Sequence, residues 1–72
     1  MKNENFEQFV FSHYDTDKEF ISDLHKLNKS WNRTKFSRIK TGMQEPKLSE
    51  AVDMAKATQT PLIEVARFFV SL

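Results

Sequence analysis

The stretch from Asn32 to Gly42, NRTKFSRIKTG, constrains the fold most, because its apolar and polar residues separate onto opposite sides of a helix. Phe36 and Ile39 are three residues apart and therefore share one face. The other residues are polar or basic, without Asp or Glu. Gly42 suits the position just after a helix, where the backbone turns left-handed. The pattern predicts a short helix over about residues 32–41, buried on one side and cationic on the other.

A helix of this kind has two interpretations. It suits the major groove of DNA, where polar side chains read base edges. A basic helix that simply faces water has the same pattern. The charge distribution favours the first interpretation: residues 24–47 contain seven Lys or Arg and one Glu, a net charge of +6, whereas residues 1–23 have a net charge of −4. A local basic region is typical of nucleic-acid-binding proteins.

The flanking segments predict four more helices. Apolar residues recur at helical spacing over residues 4–14, and Thr16 and Glu19 have the spacing of a capping box, so a second helix begins at Asp17. Residues 28–31 are predicted to form the connecting turn, and we expect Trp31 to be a core or staple residue and not a base-stacking platform. A fourth helix spans residues 47–58. Thr60 and Pro61 then suit the N-cap and the first helical position of a fifth helix.

These patterns predict an all-α protein: a single domain, residues 1–72, built as a compact bundle of five short helices. The first helix buries Phe6, Phe9, Val10 and Tyr14 in this prediction. The core-facing residues predicted for the second, fourth and fifth helices are Phe20, Ile21, Leu24, Leu27, Leu48, Ala51, Val52, Ala55, Leu62, Val65, Ala66 and Phe69.

Composition argues against several classes of protein. There is no Cys, and hence no disulfide framework or cysteine zinc site. Two His residues, without a glycine-rich phosphate loop or metal-ligand spacing, do not provide a catalytic constellation. We therefore expect no enzymatic activity, cofactor, metal or small-molecule substrate. Charges within the first apolar segment indicate neither a signal peptide nor a membrane span, so we expect a cytoplasmic protein.

From Asn32 onward the sequence resembles the Cro/cI family of helix-turn-helix regulators, which have the lambda-repressor-like fold. The positions that carry the resemblance are Thr34, Phe36-Ser37-Arg38-Ile39, Gly42, Pro46, Leu48, Ala55-Lys56-Ala57 and Leu62-Ile63-Glu64-Val65. They follow the family order of a recognition helix ending in Gly, a Pro four residues later, a helix with a small residue near its end, and a last short helix. A second resemblance, through residues 35–38 and the run after Pro46, is to the phage cII-type activators.

The resemblance implies a sequence-specific, double-stranded DNA-binding transcriptional regulator, such as a repressor, in a bacterial cytoplasm or a phage-infected cell. The base contacts that it implies are Arg33, Thr34, Ser37 and Arg38. The phosphate contacts that it implies are Lys29, Asn32, Lys35, Lys40 and Thr41. Its scaffold helix would be the one with Phe20 and Leu24, although Ile21 occupies a position where the family usually has a small residue.

The C-terminal segment predicts a homodimer. Phe68, Val70 and Leu72 leave more apolar surface than one face of a terminal helix can bury, and such surface often marks an interface. The alternative function is a small protein-interaction module. In that case the acidic first helix and apolar C-terminus would bind another protein, and the basic helix would be a solvated surface.

Overall fold

Four helices begin and end close to the predicted bounds, but the fifth differs: Pro61 precedes it as the N-cap without a side-chain cap, and it ends at Ala66, so that Phe68 and Phe69 lie in the turn after it. The computed structural model describes residues 4–69, which form helices without any β-strand. The helices are α1 (Glu4–His13), α2 (Asp17–Leu27), α3 (Arg33–Lys40), α4 (Leu48–Thr58) and α5 (Leu62–Ala66). Thr16 caps α2, where its hydroxyl accepts a hydrogen bond from the Glu19 N–H at 3.3 Å. The all-α prediction is confirmed.

Aromatic side chains join the first helix to both halves of the chain. Phe6 of α1 is fully buried, and its ring centroid lies 6.1 Å from that of Phe36 and 5.0 Å from that of Phe69. The Phe36 ring also packs edge-on against Phe20 of α2 at 5.4 Å. Such tilted and edge-on pairs stabilise beyond the area they bury. The core therefore passes from α1 through α2 and α3 to the segment after α5.

Helix α4 completes this core and packs against both α2 and α5. Its buried residues include Ala51, Met54 and Ala55, and α5 adds the fully buried Val65. The Tyr14 hydroxyl, just after α1, shares its one proton between two acceptors: an Asp23 carboxylate oxygen in α2 at 2.7 Å and the Ala57 carbonyl oxygen in α4 at 2.9 Å. The end of α1 is thereby fixed to both of these helices.

The turn between α2 and α3 is built on Asn28 instead of a glycine. The Asn28 N–H caps α2 at the Leu24 carbonyl (2.9 Å), and its side-chain oxygen accepts a hydrogen bond from the Ser30 N–H at 3.0 Å. Trp31 then enters the core, where it is 1% exposed, as predicted. Its indole N–H donates to Asp53 of α4 at 3.0 Å, so the polar atom is paired.

Three leucines that were predicted to face the core lie at the surface instead. Leu27 is 48% exposed, Leu48 is 73% exposed and Leu62 is 37% exposed. Each lies in the last or first turn of its helix. A periodic stripe identifies the side of a helix that faces inward, but the terminal turns extend past the neighbouring helices. Conversely, Met54 is fully buried, although the apolar stripe predicted for α4 did not include it.

Candidate nucleic-acid interface

Helix α3 is short but has well-defined ends. At its start the Asn32 side-chain oxygen accepts a hydrogen bond from the Lys35 N–H at 2.8 Å. At its end Gly42 has a φ of 81°, a left-handed conformation that costs glycine little. The N–H of Gly42 bonds the Ile39 carbonyl at 3.2 Å, and that of Met43 bonds the Arg38 carbonyl at 2.9 Å. This is a Schellman motif, which confirms the predicted role of Gly42.

One face of α3 is fixed by packing. Phe36 and Ile39 are at most 1% exposed and belong to the main core, as the sequence predicted. Burial of two such side chains stabilises the domain by about 3–6 kcal/mol before entropic costs. The orientation of the opposite face is therefore set by the core.

The four residues proposed to read base edges lie outside the buried stripe, with Thr34, Ser37 and Arg38 opposite it and Arg33 about 90° from its midline. Arg33, Thr34, Ser37 and Arg38 are all exposed. Positions four apart lie above one another on a helix, so Thr34 is next to Arg38 and Arg33 is next to Ser37. The structure thus brings these four side chains together on one exposed surface, called the outer face below.

The predicted phosphate contacts fall into two groups. Lys29 is exposed in the turn before α3, Asn32 is exposed at its N-cap, and Thr41 is half-buried at its end. The Thr41 hydroxyl donates to the Ser37 carbonyl at 2.8 Å. Lys35 and Lys40 differ, because each ammonium group forms ion pairs inside the domain.

Lys35 pairs with Glu50, which is only 3% exposed at the start of α4. Its ammonium group also donates to the Ser30 hydroxyl at 3.0 Å and lies 5.0 Å from the centre of the Trp31 ring system. Burial alone would raise the pKa of Glu50. The hydrogen bonds from Lys35 and from the Lys47 N–H (2.7 Å) outweigh it and hold the pKa below its ordinary value.

Lys40 pairs with carboxylates from two other helices. Its ammonium nitrogen lies 2.5 Å from an Asp17 carboxylate oxygen of α2 and 3.6 Å from one of Glu7 in α1. The hydrogen bond to Asp17 raises the pKa of Lys40 against the opposing effect of burial, and Glu7 adds to the rise. Glu7, Asp17 and Glu50 come from segments that flank the basic stretch in sequence, so folding neutralises part of its charge. Nothing in the sequence spacing had indicated these pairs.

The predicted dimer surface is only partly described. Phe68 is half-buried within the monomer, where its ring lies 5.0 Å from Phe9 and 6.0 Å from Phe6. Val70 and Leu72 lie outside the described residues. A groove between α1 and the C-terminal segment is lined by Asn5, Phe9, Glu64, Arg67 and Phe68. Ile63 of α5 is 58% exposed.

Residues 4–69 lack two other kinds of feature. No group of three or more His, Cys, Asp or Glu side chains in this range is arranged to hold a metal ion. No helix in the same range is long and apolar enough to cross a membrane.

Comparison of the chain with protein-family models, curated proteins and solved structures found no match to any of them.

Proposed function

We propose that the protein is a sequence-specific, double-stranded DNA-binding transcriptional regulator with a lambda-repressor-like helix-turn-helix, in which α3 enters the major groove. The observation that carries the proposal is the outer face of α3. It combines two exposed arginines with two exposed hydroxyl side chains, and α3 contains no carboxylate. The opposite face is held by Phe36 and Ile39 in the core. A recognition helix needs an inner face that is fixed in the core, because base contacts depend on the orientation of the helix.

The side chains of the outer face suit base edges. An arginine can donate two hydrogen bonds to O6 and N7 of guanine, which is the commonest specific contact. Thr34 and Ser37 can bond either bases or phosphates, and a threonine methyl can contact the thymine methyl. Asn32 and Thr41 cap α3, and Lys29 lies in the turn that precedes it. From there they would contact phosphates and set the register without reading sequence.

A second copy of the chain completes the proposed working form. One helix of eight residues offers few base contacts. Pairing two copies doubles these contacts and makes the preferred site a near-palindrome with half-sites about 34 Å apart. We place the two-fold interface at α5 and the segment after it. Ile63 and the remaining exposed surface of Phe68 lie there, and Val70 and Leu72 follow in sequence.

Selection of preferred duplexes from a random pool tests the function directly. We expect enrichment of a near-palindrome that contains guanine in each half-site. Arg38→Ala should then weaken binding to the selected site by about 1–3 kcal/mol and relax preference at one base pair.

The matched control is Lys56→Ala, which removes an exposed cation from α4. It should change affinity by no more than a few tenths of a kcal/mol. Equal losses in the two variants would contradict the assignment of α3. A pool without any enriched sequence would contradict the function and favour a protein partner.

A further inference from the structure

The four cationic side chains of α3 divide into two kinds. Arg33 and Arg38 are exposed, whereas the side chains of Lys35 and Lys40 retain only 21% and 20% of their accessible surface. The two lysines are the ones whose ammonium groups form ion pairs with other helices. Charge alone therefore does not define what each residue contributes to a DNA-binding surface.

The two lysines lie on opposite sides of the buried stripe. At 100° per residue, Lys35 and Lys40 are about 70° to either side of the midline between Phe36 and Ile39. Lys35 connects α3 to Glu50 of α4. Lys40 connects it to Asp17 of α2 and to α1. Rotation of α3 about its axis in either direction would lengthen one of these connections.

Neither lysine can turn to a phosphate without cost. If Lys35 left its partner, Glu50 would remain as a buried carboxylate without its cation. If Lys40 left, the carboxylates of Asp17 and Glu7 would lose the cation they share, close to an incoming phosphate. Like charges at such distances repel, so these movements oppose DNA binding instead of assisting it.

We propose that Lys35 and Lys40 are positioning residues, which fix the rotation and tilt of α3 through ion pairs with Glu50, Asp17 and Glu7 and do not bind phosphate. This inference rests on the proposed DNA-binding function and refines it. Lys29, Arg33 and Arg38 then supply the cationic contacts of this region. Both lysines affect DNA binding indirectly, because they orient the residues of the outer face.

The salt dependence of binding separates positioning from phosphate contact. Each phosphate that a cation neutralises adds about 0.9 to the slope of log affinity against log salt. Lys35→Gln should leave this slope unchanged. Affinity for the selected site should fall on the order of tenfold, because the arginines lose alignment, while affinity for random duplex changes less than about twofold. Lys29→Gln, the matched control at an exposed lysine, should reduce the slope by about 0.9 and weaken both duplexes alike. Lys40 is tested by a charge exchange, because Lys40→Gln would leave the Asp17 carboxylate without its cation near the DNA.

A charge exchange tests the same inference with a different readout. Lys40→Glu should lower affinity for the selected site, and Lys40→Glu combined with Asp17→Lys should restore much of it, because the ion pair is re-formed with its charges exchanged. Recovery through the re-formed ion pair should be confined to the selected duplex, whereas a phosphate contact taken over by the new lysine at position 17 would raise affinity for the random duplex equally. All variants are compared at a temperature where circular dichroism shows full helix content.

The outcomes are distinct. A slope reduced by about 0.9 in Lys35→Gln, with equal loss on both duplexes, would overturn positioning while leaving the proposed function intact. A double variant no better than Lys40→Glu alone would also overturn it. A wild-type chain that prefers no duplex would overturn the proposed function, and this inference with it.

Discussion

The two faces of α3 differ in how their side chains are held. On the inner face, Phe36 and Ile39 pack in the core, and two flanking lysines pair with carboxylates of α1, α2 and α4. On the outer face, Arg33, Thr34, Ser37 and Arg38 are exposed to solvent. The inner face therefore determines whether the domain folds and how α3 is oriented. The outer face can vary with little effect on stability, which is the arrangement expected when contacts with a partner are made there.

The largest effect should come from removing the aromatic side chain on the inner face. Phe36→Ala deletes a ring that packs against Phe6 and Phe20, so it should lower the free energy of unfolding by about 3–5 kcal/mol. A domain of this size has little stability to lose, so we expect an unfolded or partly folded chain in urea denaturation. Phe11→Ala is the matched control, because Phe11 is 57% exposed and should cost about 1 kcal/mol or less. A folded Phe36→Ala protein that only lost DNA binding would show that this face had been misassigned.

The contrast between the two faces of α3 shows which contacts could be predicted from the sequence alone. Apolar spacing within one helix is local information, and it correctly placed Phe36 and Ile39 in the core. The cap at Thr16 and the turn at Gly42 were equally local and are confirmed. Which carboxylate meets which lysine depends on the packing of whole helices. The Lys40–Asp17 hydrogen bond joins residues 23 positions apart, without any spacing rule that could have predicted it.

The exposed leucines show the same limit. The spacing of Leu48 fits the apolar stripe of α4. Leu48 is nevertheless the first residue of that helix and is 73% exposed. Periodicity indicates the helix face on which a side chain lies, but not whether a neighbouring helix is long enough to cover that side chain. The exposure of the four residues proposed to read bases could be predicted from local pattern, because exposure on one helix face is itself a local property.

A smaller effect on the inner face should appear as a pH dependence. The pKa of Glu50 is below its ordinary value of 4.5 in the folded protein, so its ionised form favours folding. That stabilisation is present above pH 4.5 and is lost as the pH falls through the lower folded-state pKa. Glu50→Gln should lower the free energy of unfolding near pH 7 by about 1–3 kcal/mol. It should also flatten the loss of stability below pH 4.5, measured by urea denaturation across the acid range.

The control for this pH dependence is Glu45→Gln, which changes an exposed carboxyl in the loop between α3 and α4. It should leave the stability of the wild type nearly unchanged at each pH. If Glu50→Gln and wild type lost stability in parallel as the pH fell, the ionised Glu50 would not stabilise the folded state.

The smallest effect on folding, and the most specific for function, should come from Ser37→Ala on the outer face. Alanine favours helix more than serine, so the change should raise the free energy of unfolding by up to about 0.5 kcal/mol. The same change removes a hydroxyl from the proposed DNA surface and should weaken binding to the selected duplex by about 0.5–1.5 kcal/mol.

Ser22→Ala is the matched control, since Ser22 is also exposed in the middle of a helix, α2. It should stabilise the protein to a similar extent and leave DNA affinity unchanged, as measured by thermal unfolding and duplex titration. A more stable protein that binds less well would separate the two faces cleanly. Unchanged affinity in Ser37→Ala would remove Ser37 from the proposed base contacts and leave the arginines to account for sequence preference.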